Sequence, residues 1–103
     1  MPAYAIFIKE KTTDPAELVT YASKAGPSLE GHPAKVLAAY GPQVVLEGPD
    51  NEGVVVVEFP TLEAAKTWYE SPAYREARQY RFRGAEYRAM IIEGLSQSVV
   101  SPN

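Results

Sequence analysis

The side chain best placed to do chemistry is Glu58, a carboxylate at the end of an otherwise apolar strand predicted over residues 54–59. It follows Val54 and Val56 on one face of that strand. A carboxylate in an apolar setting has a raised pKa, which suits a general acid or base near neutral pH. The alternative is structural, because Glu58 could instead bind the free N–H groups of the next helix or pair with an arginine. The sequence leaves both interpretations open.

Arg81 is the second candidate, because helical spacing puts it on one face with Tyr74 and Ala77, the face expected to pack on the sheet. A buried arginine needs a carboxylate partner, and Glu58 is a plausible one. Such a pair could orient an anionic ligand or simply satisfy itself. If the two residues pair, the pKa of Glu58 falls and its use as a base weakens.

Three aromatic residues, Trp68, Tyr69 and Tyr74, fall at the junction of two predicted helices. Aromatic residues at helical spacing are usually part of a core. They could also form the wall of a pocket between helices and sheet, with the tyrosine hydroxyls as polar groups. Tyr4 and Tyr40, on the first and second predicted strands, could join that pocket from the sheet side.

His32 is the only histidine, and the chain has no cysteine. A zinc site built on one histidine without an acidic cluster is not expected, and thiolate chemistry is excluded. His32 could ligate haem or act as an acid–base group, although an exposed turn fits its Gly-His-Pro context. The sequence predicts no cofactor and no metal.

The composition is that of one globular domain, with 46% hydrophobic and 22% charged residues in 103. We assign residues 1–95 to the domain and 96–103 to a polar tail. The net charge of −3 argues against a nucleic-acid partner, and no apolar run is long enough to span a membrane. The N-terminus lacks the pattern of a secretory signal, so a cytoplasmic location is expected.

Glycine and proline divide the chain into elements in the order β-α-β-β-α-β, with the second helix split in two. The cap-plus-proline pairs Asp14-Pro15 and Ser71-Pro72 begin helices, as does Thr61 after Pro60. This order predicts a ferredoxin-like α+β fold, in which an antiparallel sheet carries helices on one face. Strands are predicted over residues 3–9, 34–40, 54–59 and 87–93, with a short extended piece over 43–47.

Four consecutive valines, residues 54–57, leave neither face of the third strand polar, so both faces should be buried. Helices cover only one face of such a sheet. A bare apolar face of that size is rare on a monomer. We therefore predict a homodimer in which two sheets pack face to face.

Residues 54–74 resemble the signature of the family called domain of unknown function 1330, in the dimeric α/β-barrel superfamily. The matching motifs are Glu58-Phe59-Pro60-Thr61, Glu63-Ala64-Ala65, Trp68-Tyr69 and Ser71-Pro72-Ala73-Tyr74. Leu46-Glu47-Gly48, Arg81 and Ile91-Ile92-Glu93-Gly94 extend the match. The resemblance implies a ferredoxin-like dimer and supplies no activity. The chain departs from the family pattern at His32-Pro33-Ala34, where relatives have a Gly-Gly pair, and at Gly53, where they have an arginine.

The sequence thus predicts a pocket for a small, largely apolar carbonyl or carboxylate metabolite. Its wall would hold the aromatic residues named above, with Glu58 and Arg81 as its polar pair. One hypothesis is a cofactor-independent enzyme in which Glu58 moves a proton and Arg81 holds an anion. The other is a ligand-binding or structural dimer without catalysis.

Overall fold

The computed structural model describes residues 1–95, so the predicted polar tail, 96–103, lies outside the described residues. The elements follow one another as β1 (Ala3–Thr12), α1 (Pro15–Ala25), a 3-10 turn (Pro27–Leu29), β2 (Lys35–Ala39), β3 (Gly53–Phe59), α2 (Leu62–Tyr69), α3 (Pro72–Gly84) and β4 (Ala85–Glu93).

The helices begin where their capping residues predict. Asp14, Thr61 and Ser71 each accept a hydrogen bond from a backbone N–H in the first turn that follows, which satisfies one of the donors left free there. Pro15 and Pro72 occupy the first turn, where a missing N–H costs nothing. Residues 43–47, predicted to be extended, belong to no strand of the described sheet.

The sheet has four antiparallel strands in the order β2-β3-β1-β4, which confirms the ferredoxin-like fold. The central strands β1 and β3 pair over seven positions, from Ala3 opposite Phe59 to Lys9 opposite Gly53. Because side chains alternate along a strand, this register assigns every residue of β1 and β3 to one of two faces.

The helix-facing side of the sheet forms the core. Phe7, Val57 and Phe59 pack there against Trp68 of α2 and Tyr74 of α3, and Phe59 and Tyr74 are fully buried. Aromatic rings fill most of this layer, and the centres of the Trp68 and Tyr74 rings lie 4.2 Å apart. The core therefore lies between the sheet and the α2–α3 pair.

The opposite side, which we call the open face, carries apolar residues without helices above them. Ile6 lies between Val56 on β3 and Met90 on β4, and Tyr4 lies beside Ile92 in the next row. Met90 is 41% exposed and Ile92 56% exposed. Within the described chain, then, Val57 is buried on the helix side of β3, whereas Val54 and Val56 on the open face are only half-buried.

Among residues 1–95, no helix is both long enough and apolar enough to cross a membrane.

Candidate functional site

A cavity of about 400 Å³ lies between α1 and the sheet, and we call it the α1 cavity. α1 lines it with Leu18, Tyr21, Ala22 and Ala25, and the sheet lines it with Phe7, Val36, Val55 and Val57. α1 contains no fully buried residue, and the small side chains at positions 22 and 25 leave space above the sheet. The cavity is thus a gap that α1 spans without filling.

Trp68 forms the inner wall of the α1 cavity. Its indole N–H donates to the Ser28 hydroxyl at 3.1 Å, and that hydroxyl donates to the carbonyl of Ala25 at 2.5 Å. The 3-10 turn therefore supplies the acceptor that a buried indole requires. These two hydrogen bonds hold the indole ring in place, so the wall of the cavity is preformed.

Two pairs of tyrosine hydroxyls lie at one end of the cavity, which we call the tyrosine end. The hydroxyls of Tyr21 and Tyr74 are 2.8 Å apart, and those of Tyr40 and Tyr87 are 2.5 Å apart. Burial raises the pKa of Tyr21, Tyr74 and Tyr87, so all three stay protonated at neutral pH. Their chemistry is that of neutral hydrogen-bond donors and acceptors.

Tyr40 reaches the cavity from an unusual backbone conformation. Its φ is 57°, in the left-handed region that residues other than glycine rarely adopt. Its ring lies against Gly53, where any Cβ would overlap the ring atoms, and its N–H donates to the carbonyl of Val54 at 2.9 Å. A glycine at position 53 therefore permits Tyr40 to cover the edge of the cavity.

Arg81 stands directly behind the tyrosine end. Its side chain is only 3% exposed, and its guanidinium carbon lies 5.1 Å from the centre of the Tyr87 ring and 5.3 Å from that of Phe7. It donates a hydrogen bond, 3.3 Å long, to the Tyr69 hydroxyl, and its Nε has no partner among the described residues. Among the ion pairs of residues 1–95, none involves Arg81.

Lys9 is the charged residue in the wall of the cavity. Its ammonium lies 5.1 Å from the centre of the Tyr40 ring and 3.9 Å from a carboxylate oxygen of Glu52. Glu52 is mainly engaged elsewhere, because it accepts hydrogen bonds from the hydroxyl and the N–H of Thr12, which lower its pKa. The distant Glu52 carboxylate therefore satisfies the Lys9 ammonium only in part.

The comparison with protein families identifies the chain. Residues 2–95 match the family model described as Domain of unknown function (DUF1330). The chain belongs to this family. A comparison with curated proteins found no match.

Solved structures similar to this DUF1330 chain share its fold. A protein of unknown function from Rhodopseudomonas palustris is 21% identical with a TM-score of 0.72, over 92% of this chain and 83% of the other. A dimeric ferredoxin-like protein of unknown function from Thermobifida fusca is 13% identical with a TM-score of 0.62, over 89% and 90%. SnoaB, a cofactor-independent oxygenase from Streptomyces nogalater, is 9% identical with a TM-score of 0.60, over 96% and 98%. Identities this low demonstrate a common fold and nothing about activity.

The structure of this DUF1330 domain separates the predicted polar pair. Glu58 has the parity of Val54 and Val56 and lies on the open face, whereas Arg81 is buried on the helix side. The sheet stands between them, so the predicted pairing of Glu58 with Arg81 is wrong. The predicted pocket that combined both residues is wrong for the same reason.

Glu58 instead lines a shallow groove at the edge of the sheet, which we call the edge groove. His32 and Lys35 share this groove, and Lys35 lies opposite Glu58 in the β2–β3 register. Across residues 1–95, no three His, Asp or Glu side chains cluster as potential metal ligands. The edge groove thus brings together two predicted site residues, Glu58 and His32, without the aromatic ones.

The predicted aromatic residues take three different places. Trp68 and Tyr40 line the α1 cavity, Tyr74 lies behind it with its hydroxyl on Tyr21, and Tyr69 lines a separate hollow beside β4. Tyr4 is on the open face beside Glu58.

Tyr21, Tyr87 and Lys9 were not among the predicted site residues. Tyr21 lies one turn from Leu18 and Ala25 on α1, so the helical stripe contained a signal for it. Lys9 and Tyr87 occupy facing positions on β1 and β4, which only the strand register reveals.

Proposed function

We propose that this protein is a cytoplasmic homodimer that binds a small, largely apolar metabolite carrying a carbonyl or carboxylate group. The observation that carries the proposal is the α1 cavity, whose volume of about 400 Å³ lies in the range of small-molecule sites. Its walls are apolar, and its polar groups are gathered at the tyrosine end. That arrangement suits a ligand with a hydrocarbon body and one oxygen-bearing end.

The open face supports the homodimer. Its central residues Ile6, Val56 and Met90 form one apolar row across three strands, and no helix of residues 1–95 covers them. The similar proteins from Thermobifida fusca and Bacteroides fragilis are described as dimeric. A second copy placed sheet to sheet would bury this face while leaving the α1 cavity, on the other side, open to ligand.

Acid–base chemistry through Glu58 is the competing proposal, and it would have to occur in the edge groove rather than in the α1 cavity. His32 in that groove is the observation in its favour. The groove is shallow, so it does not shield a reaction from water. The geometry therefore favours binding in the α1 cavity over proton transfer by Glu58.

The proposal is tested with a substitution that fills the α1 cavity. Ala25→Leu adds a larger side chain in the cavity wall, whereas Ala16→Leu makes the same change at an exposed position of the same helix. Thermal unfolding of both variants and the wild type is recorded with a library of small carboxylates, lactones and quinones. A ligand at one hundred times its Kd adds about 2.7 kcal/mol to the stability of the protein that binds it.

We expect a hit to stabilise the wild type and Ala16→Leu but not Ala25→Leu. A hit that stabilises Ala25→Leu equally binds elsewhere and contradicts the assignment to the α1 cavity. If such a ligand instead loses its effect in Glu58→Gln, the edge groove is the site and the competing proposal gains.

A further inference from the structure

The charged side chain that lines the α1 cavity is positive. The chain is acidic, with 13 Asp and Glu against 10 Lys and Arg. Yet among the described residues that line the cavity there is no Asp or Glu, and Lys9 is the charged one. Arg81 adds a second positive charge one layer behind, with no carboxylate in ion-pair contact. An electropositive cavity in an acidic protein favours an anionic ligand.

The hydrogen-bonding groups at the tyrosine end also favour an anion, because donors there outnumber acceptors. A pair of hydroxyls holds two protons, and the bond between them uses one. Tyr74 is fully buried, its hydroxyl lies 2.8 Å from that of Tyr21, and the neighbouring Arg81 guanidinium can only donate to it, so we infer that Tyr74 donates to Tyr21 and Tyr21 accepts. The proton of Tyr21, whose side chain lines the cavity, is then left to donate to a ligand.

The second pair adds another donor. Tyr40 and Tyr87 both line the cavity, and whichever donates to the other leaves one proton unused. Arg81 and Lys9 are donors only. The tyrosine end thus offers several unused donors, and the missing partner is a group rich in acceptors.

We propose that the α1 cavity selects the ionised carboxylate of a small apolar acid over neutral carbonyl compounds of the same skeleton. This inference rests on the proposed function and narrows its ligand class. The acid's hydrocarbon body lies along Val55, Val57 and Trp68. Its carboxylate accepts hydrogen bonds from the tyrosine hydroxyls near the Lys9 ammonium. Arg81, one layer back, raises the positive potential without touching the ligand.

The test compares acids with their own amides. Hexanoate and hexanamide, benzoate and benzamide, and phenylacetate and phenylacetamide are titrated calorimetrically at pH 7, where the acids are ionised and the amides neutral. The variants are Lys9→Gln and, as a control that removes the same charge from an exposed position of the same strand, Lys11→Gln. Tyr21→Phe removes a donor that either kind of ligand can use.

With the wild type, we expect the best acid to bind about tenfold tighter than its amide, and added salt to narrow this gap. Lys9→Gln should weaken the acid about fivefold or more and change the amide less than about twofold. Lys11→Gln should leave both unchanged, and Tyr21→Phe should weaken both.

Amides that bind as tightly as their acids would overturn the selection of carboxylates, while the proposed function would stand. An equal loss of affinity for acid and amide in Lys9→Gln would also overturn the selection of carboxylates, because a general disturbance of the cavity would then explain the effect. If neither series binds the wild type, both the inference and the proposed function fail.

Discussion

Arg81 provides the sharpest test of the structure, because replacing it with methionine should stabilise the ligand-free protein. The guanidinium is 3% exposed and has no carboxylate partner within the described chain. Removing a charge from the middle of a core is usually destructive because a partner charge is left behind. Here no partner charge is left, so Arg81→Met relieves a cost without creating another.

The magnitude follows from the contacts. Desolvation of a buried cation costs several kcal/mol. The 3.3 Å hydrogen bond to Tyr69 offsets about 1 kcal/mol of that cost, and the contacts with the rings of Phe7, Phe82 and Tyr87 offset about 0.5–1 kcal/mol each. Methionine retains about 0.3–1.5 kcal/mol per ring contact through its sulfur. The net expectation is a gain of about 1–2 kcal/mol, and each kcal/mol raises the Tm of a domain this size by about 4–8 °C.

The assay is urea and thermal unfolding at one protein concentration, because the proposed dimerisation would make Tm depend on concentration. Arg78→Met is the matched control on the same helix. Arg78 donates to the carbonyl of Tyr69 at 2.9 Å and to the carboxylate of Glu70 at 3.2 Å, so its replacement should cost about 1–2 kcal/mol. A loss of about 3–5 kcal/mol in Arg81→Met would refute the reasoning, because that is the cost of breaking a paired buried charge.

Three further predictions concern the tyrosines and the open face. Gly53→Ala should destabilise the protein by about 1–3 kcal/mol in urea unfolding, because its Cβ overlaps the Tyr40 ring and because the φ of 155° at this position disfavours any side chain; Tyr40→Ala in the same chain should therefore recover only part of the loss. Because the pKa values of Tyr21, Tyr74 and Tyr87 are raised by removal of their rings from water, their contribution to stability is complete below pH 10 and falls as the pH rises above it. The free energy of unfolding measured with urea should therefore fall steeply above pH 10, and less steeply in Tyr21→Phe. An identical slope in that variant would contradict a raised pKa at Tyr21. Ile92→Lys on the open face should shift sedimentation from dimer to monomer, whereas Val19→Lys, at a position 72% exposed on α1, should not; a dimer that survives Ile92→Lys would exclude this part of the face from the interface.

The fold could be predicted from the sequence because its boundaries are local. Asp14-Pro15 and Ser71-Pro72 specify helix starts through the hydrogen-bonding needs of a first turn, whatever the tertiary structure. The order of elements then leaves few topologies, and the ferredoxin-like sheet is one of them.

The site could be predicted only in part, because the pairing register of the strands decides which of its residues lie together. The helical position of Arg81 beside Tyr74 and Ala77 correctly indicated burial. The predicted partner of Arg81, Glu58, was wrong because four consecutive valines do not indicate which alternate residues of β3 face the helices. The register places Glu58 on the open face. The helical position of Trp68 left a core role and a pocket wall both open, and the hydrogen bond that holds its ring in place is made to Ser28, forty residues away.

The cover of the α1 cavity has a consequence for how a ligand would enter. α1 has no fully buried residue, and its firmest neighbour is α3, with Lys24 paired to Glu76 at 3.1 Å on the outside of the contact. A helix without a fully buried residue is expected to open locally at a free energy below that of global unfolding. Amide hydrogens of α1 should therefore exchange with solvent faster than those of β1 or α3. A ligand beneath α1 would slow that exchange selectively. The helix that covers the cavity would then also be the element that opens to admit the ligand.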